Sequence, residues 1–98
     1  MTVTDQRKSR RFELNLPFEL LRSGSERAME SGETRNLSSC GVLFRSSARV
    51  QPGATVEYRI TLPSNGADLR LHCIGKVVRC ITDWEAAATL ERYEFVRG

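Results

Sequence analysis

The sequence predicts an all-β domain: a small antiparallel barrel of six strands, closed or half-closed. Three observations point there. Short segments alternate apolar and polar residues with a period of two. Clusters of glycine, proline, asparagine and serine separate those segments at short intervals. No segment sustains the spacing of a long helix. A chain of 98 residues makes one domain with a real but modest core. Its 40% hydrophobic and 28% charged content is that of a globular chain, not a disordered one.

Each element follows from its own pattern. Phe12, Leu14, Leu16, Phe18 and Leu20 alternate with Glu13, Asn15, Pro17 and Glu19, which predicts a strand with one buried face. Pro17 falls in the outward set and marks an edge or a bulge. "RSGSE" at 22–26 is a turn, and "RAMESGETRNL" at 27–37 a second strand, with Gly32 as a bulge or bend. "NLSSCG" at 36–41 is a loop, and "VLFR" at 42–45 a short third strand. After a turn at Pro52-Gly53, Val56, Tyr58, Ile60 and Leu62 alternate again. Asn65-Gly66 is a hairpin signal. "LRLHCIGKVVRCI" at 69–81 is a long strand rich in β-branched residues; "TDWEA" turns it back into a last strand at 87–97. The helix propensity of "AAATLER" yields there to Thr89, Tyr93, Phe95 and Val96 and to the pairing partner upstream. Phe12, Phe18, Phe44 and Phe95 fall on alternating apolar positions and are assigned to the core, with Tyr58 and Tyr93 packed as well. Trp84 is assigned to a hairpin or rim.

Composition narrows the function. No apolar run approaches ~18 residues, and "MTVTDQRKSRRF" has no apolar signal region, so a cytoplasmic protein without a membrane span is expected. Cys40, Cys73 and Cys80 are odd in number and form no CxxC pair, which predicts neither a disulfide framework nor a zinc site. They read as buried or half-buried small residues. The single histidine, His72, has no triad-like partners. No paired carboxylates stand out, and no glycine-rich loop leads into a helix. An enzyme is therefore not expected, nor a cofactor.

The net charge of +3 is concentrated at one place. Residues 1–12 hold Arg7, Lys8, Arg10 and Arg11 against Asp5 alone, and the remaining chain balances 11 basic with 11 acidic residues. Residues 1–11 thus read as a flexible basic arm and 12–98 as the barrel domain. The first hairpin brings the arm to a particular neighbour. A turn centred near Gly24 sets residue 12 opposite residue 36, so "RKSRR" and "NLSSCG" share one end of the barrel. Together they offer guanidinium forks, the amide of Asn36, the hydroxyls of Ser38 and Ser39, and a glycine, Gly41, that permits close approach to the backbone. Guanidinium grips phosphate, reads the guanine edge and stacks on a π face, so the set suits an anion carrying phosphate and purine.

These segments resemble the two signature motifs of PilZ domains, the bacterial receptors for cyclic di-GMP. Arg7-Lys8-Ser9-Arg10-Arg11 matches RxxxR, and Asn36-Leu37-Ser38-Ser39-Cys40-Gly41 matches [D/N]xSxxG. "GKVVR" at 75–79 is similar to a strand of that family, and the likeness covers nearly the whole chain. In place of the family's glycine-containing last-strand segment stands "ATLERYEF". The resemblance implies a split-barrel fold. It implies that Arg7 and Arg11 grip phosphates and guanine faces, with Lys8 and Arg10 in support. Asn36 and Ser38 would bond a guanine edge or hold the loop, and Gly41 would permit the backbone turn. The ligand would then order the arm and create a surface for a downstream protein that the sequence does not name. Two alternatives stand beside this reading. A small barrel with a basic arm suits nucleic acid, but the balanced charge beyond the arm argues against it. A protein-interaction module without ligand is the other, against which the intact motifs argue.

Overall fold

The computed structural model describes residues 15–47, 49–62 and 69–97. Seven strands run in chain order: β1 (Pro17–Ser23), β2 (Glu26–Leu37), β3 (Gly41–Ser46), β4 (Thr55–Leu62), β5 (Leu69–Cys80), β6 (Glu85–Thr89) and β7 (Arg92–Arg97). Six of them make the ring β4-β1-β2-β3-β6-β5, closed by β5 pairing with β4, all antiparallel. The predicted barrel is therefore present, with one strand more. The expected last strand divides at Leu90–Glu91. Its first half, β6, lies between β3 and β5; its second half, β7, pairs among the described residues with β5 alone and runs outside the ring.

The core is the inward set of the alternating strands. Phe18, Leu20, Val42, Phe44, Val56, Tyr58, Ile60, Leu71, Cys73 and Val77 are buried. Phe18 stacks on Phe44 with ring centroids 4.3 Å apart, and on Tyr58 at 5.4 Å. The Tyr58 hydroxyl donates to the Thr89 carbonyl (2.9 Å), which satisfies its polar end. Burial pushes the Tyr58 phenol well up and the Cys73 thiol up to about 12, so both stay neutral at ordinary pH.

Several expectations need correction. Phe95 and Tyr93 are not core: each is 60% exposed, because β7 has left the ring. The two rings pack edge to face on each other instead. Cys40 and Cys80 are exposed, Cys40 at the β2–β3 turn and Cys80 at the last position of β5. Gly32 is not a bulge: it pairs in register with Phe18 and Ser46. A Cβ there would sit 2.0 Å from the Arg45 carbonyl oxygen, so the close strand approach demands the glycine. The irregularity falls at Ala28–Met29, where β2 spends an extra residue against β1 and Met29 takes φ 52°. That bulge and the turn beyond Ser23 move the hairpin register by two residues. Phe18 faces Gly32, where a turn centred on Gly24 would place Leu16. Pro17 stands at the first position of β1, where a missing N–H is tolerated. Phe12 and the Asn65-Gly66 turn lie outside the described residues.

Candidate functional site

The candidate site is built by a turn and a bulge. Within β2, Thr34 faces Phe44 and Asn36 faces Leu43, so β2 spends one extra residue, Arg35. A one-residue insertion changes the face of every side chain after it. Thr34 is buried, Asn36 turns to the outer face, and Leu37, opposite Val42, returns to pack on the core. Among the described residues the Asn36 amide makes no hydrogen bond.

The β2–β3 turn follows directly. The Ser38 N–H donates to the Gly41 carbonyl (2.9 Å). The Ser38 hydroxyl accepts from the Cys40 N–H and the Gly41 N–H, both at 3.2 Å, and donates to the Gly41 carbonyl at 3.3 Å. A serine in this place substitutes for missing backbone partners. Its hydroxyl is occupied by the turn, so Ser38 shapes the loop. Gly41 has no left-handed φ. A Cβ there would approach the Ala88 carbonyl oxygen to 2.6 Å, so this glycine lets β6 close on the start of β3.

Arg7, Lys8, Arg10 and Arg11 lie outside the described residues. The described chain begins beside the turn all the same. The Leu16 N–H donates to Thr34 Oγ1 and the Leu16 carbonyl accepts from the Thr34 N–H, both at 2.9 Å. Asn15 lines a polar depression with Arg35, Asn36, Arg45 and Glu85. The strand that continues the arm therefore starts at the end of β2 that leads into the Asn36–Gly41 segment.

Sequence reasoning passed over the charges around that depression. Arg35 pairs with Glu85 at 2.8 Å and Arg45 with the same carboxylate at 3.5 Å. They are 50 and 40 positions away in sequence from Glu85, and only the β3–β6 pairing, with Arg45 opposite Glu85, brings them together. A second depression lies above the turn, lined by Asn36, Ser38, Leu43, Arg79, Ala87 and others. Among the described residues no group of three His, Cys, Asp or Glu side chains is placed to hold a metal ion.

The sequence model of one protein family, described as PilZ domain, matches residues 5–95. The matched span includes both arginines of RxxxR, the whole Asn36–Gly41 segment and every strand of the ring. No curated protein was found to match the chain.

Proposed function

The chain belongs to the PilZ domain family, a family of cyclic di-GMP receptors and not of catalysts, and from that premise we propose that it binds cyclic di-GMP as a cytoplasmic regulatory domain. Residues 1–11 act as the arm and 12–98 as the barrel. Arg7 and Arg11 clamp the phosphates and guanine faces, with Lys8 and Arg10 adding charge. Asn36 bonds a guanine edge, and Ser38 and Gly41 hold the loop that presents it. The ligand ties the arm to the rim, and a downstream protein, or another domain, reads the surface so formed.

One observation carries the reading. The Asn36–Gly41 segment is tied by its own serine into a turn, and the Asn36 amide, which makes no hydrogen bond among the described residues, stands on the outer face at the end of the barrel where residue 15 enters. A charge-assisted hydrogen bond contributes about 1.5–3 kcal/mol, so two arginines on a dianion dominate the affinity. Calorimetric titration with cyclic di-GMP tests this. Arg7→Ala and Arg11→Ala each abolish measurable heat while the melting temperature stays that of the parent. Unchanged affinity in both variants would overturn the assignment of the arm.

A further inference from the structure

β7 presents an edge that no described strand covers. It pairs with β5 residue for residue, from Arg92 opposite Ile74 to Arg97 opposite Leu69, with no shift of register. Among the described residues its other edge pairs with no strand. Alternate N–H and C=O groups of such a strand point away from the sheet and offer a template for another chain. Edges are commonly blunted by a proline, a bulge or a very short strand. β7 has six residues, no proline and no bulge against β5.

The side chains of this strand are equally unsatisfied. Tyr93 and Phe95 share the face of the buried Cys73 and Leu71 of β5. Each ring is 60% exposed, and the two meet edge to face with centroids 6.1 Å apart. Adjacent aromatic rings on an uncovered edge form an apolar patch rather than scattered exposure. Glu91, Arg92, Glu94 and Arg97 are exposed around them. Among the described residues the side chains of Arg92, Glu94 and Arg97 make no ion pair or hydrogen bond, and the Glu91 carboxylate accepts only from the Thr89 hydroxyl (3.0 Å).

The strand is complementary to itself. Two antiparallel copies related by a two-fold axis normal to the sheet keep every residue on its own face, so the pair is centred on a residue and never between two. Centred on Glu94, Glu91 stands opposite Arg97, Arg92 opposite Val96, and Tyr93 opposite Phe95, each pairing occurring twice. Every residue of β7 then has a partner. Opposite charges and paired aromatics are the cross-strand contacts that stabilise antiparallel sheets. The two Glu94 carboxylates meet at the axis, a like-charge contact that Arg92 of the other copy, on the diagonal, offsets. The neighbouring registers are poorer: centred on Tyr93, Phe95 faces Glu91, and centred on Phe95, Tyr93 faces Arg97.

We propose that β7 is a self-association edge, through which two copies of this chain pair antiparallel in the Glu94-centred register, joining their sheets and covering Tyr93 and Phe95 of both. This goes beyond the receptor reading and does not depend on it, since β7 holds none of the residues assigned to the ligand. The interface is small. An aromatic side chain buries about 150–250 Å², so the rings and strand backbone of two copies fall short of the roughly 1,600 Å² of a standard interface. The dimer is therefore concentration-dependent, with a Kd on the order of 10–100 μM.

Sedimentation equilibrium of the whole chain without ligand, up to about 1 mM, tests the proposal. The parent is expected to pass from monomer to dimer. Phe95→Lys is expected to weaken the dimer at least roughly tenfold, with the β-sheet circular dichroism unchanged because the ring lies outside the barrel. Glu94→Gln removes the repulsion at the axis and tightens the dimer. Arg97→Glu weakens it, and Glu91→Arg added to Arg97→Glu restores it, because both end pairs are then reversed. A parent that stays monomeric, as it would if another segment or another protein covered this face, overturns the proposal. So does a dimer that Phe95→Lys leaves intact. A dimer that Glu94→Gln weakens, or that the double variant does not restore, overturns the Glu94-centred register. Should Phe95→Lys not fold, Glu94→Gln and the charge reversal still decide the matter.

Discussion

Two neighbouring rows on the same four strands show how this barrel separates buried packing from outward-facing positions. The inner row is Leu37, Val42, Ala88 and Val77; the outer row is Asn36, Leu43, Ala87 and Arg79. The rows are adjacent on every strand, except that Val78 intervenes on β5, and they face opposite ways. Val42, Ala88 and Val77 are buried, and Leu37 packs on the core. Arg79 is exposed, and the other three outer residues are half-buried. The inner row is held by close packing, where even one methylene is felt. Packing leaves the outer row free, so its residues can differ in polarity without cost to the fold.

The sharpest way to break this comparison uses two consecutive residues of β3. Phe44→Ala removes a buried ring stacked on Phe18, and a loss of about 3–5 kcal/mol is expected in urea unfolding. Leu43→Ala, on the outer face, is expected to lose under about 1 kcal/mol. Similar losses in the two variants would mean that the outer face is also structural. Ser38→Ala comes next, with a loss of about 1 kcal/mol from a turn that keeps its backbone bond but not its hydroxyl. Its larger effect is on ligand affinity, which falls because the turn loosens. A variant that melts like the parent and binds like it would remove Ser38 from the site.

The cysteines sharpen the same contrast with a pH dependence confined to the alkaline range. Cys73 lies in the core, and burial pushes its thiol up to about 12 from an ordinary value of 9.0. A raised folded value means that the native state favours the neutral thiol. The contribution to stability is complete below pH 9 and is lost as pH rises from there towards 12. In the folded protein at pH 8, alkylation followed by mass spectrometry should therefore modify the exposed Cys40 and Cys80 and spare Cys73. Modification of Cys73 at the rate of the other two would show that the inner face opens readily.

The last strand pair carries a second lesson. β6 and β7 both pair with β5, and both read as strand in the sequence. In β6, Ala86 and Ala88 are buried inward, while in β7 the larger Tyr93 and Phe95 are exposed. Tyr93 and Phe95 pair with the buried Cys73 and Leu71, so their own strand's alternation matches the core face of β5. Periodicity therefore assigns them to the interior. Their exposure comes from the break at Leu90–Glu91, where the Leu90 N–H goes to the Cys40 carbonyl and the Glu91 N–H to the Ile74 carbonyl (both 2.9 Å). Beyond that break β3 no longer lies alongside, and the ring has no room for a seventh strand.

Much of this was legible in the chain itself. Alternation is a local signal, and it was enough for an antiparallel barrel, for the aromatic core of Phe18, Phe44 and Tyr58, and for a turn at the serine-containing loop. The Asn36–Gly41 segment was readable because turn chemistry is written within six consecutive residues. Tertiary structure alone decided the rest. Bulges at Ala28–Met29, Arg35 and Val78 leave no residue-type signature here, since each is defined only by how its strand pairs with a neighbour. They determine which side chains turn outward. Asn36 and Arg79 stand at the ends of one row only because strands far apart in sequence become neighbours through β3 and β6, and no local pattern records that pairing.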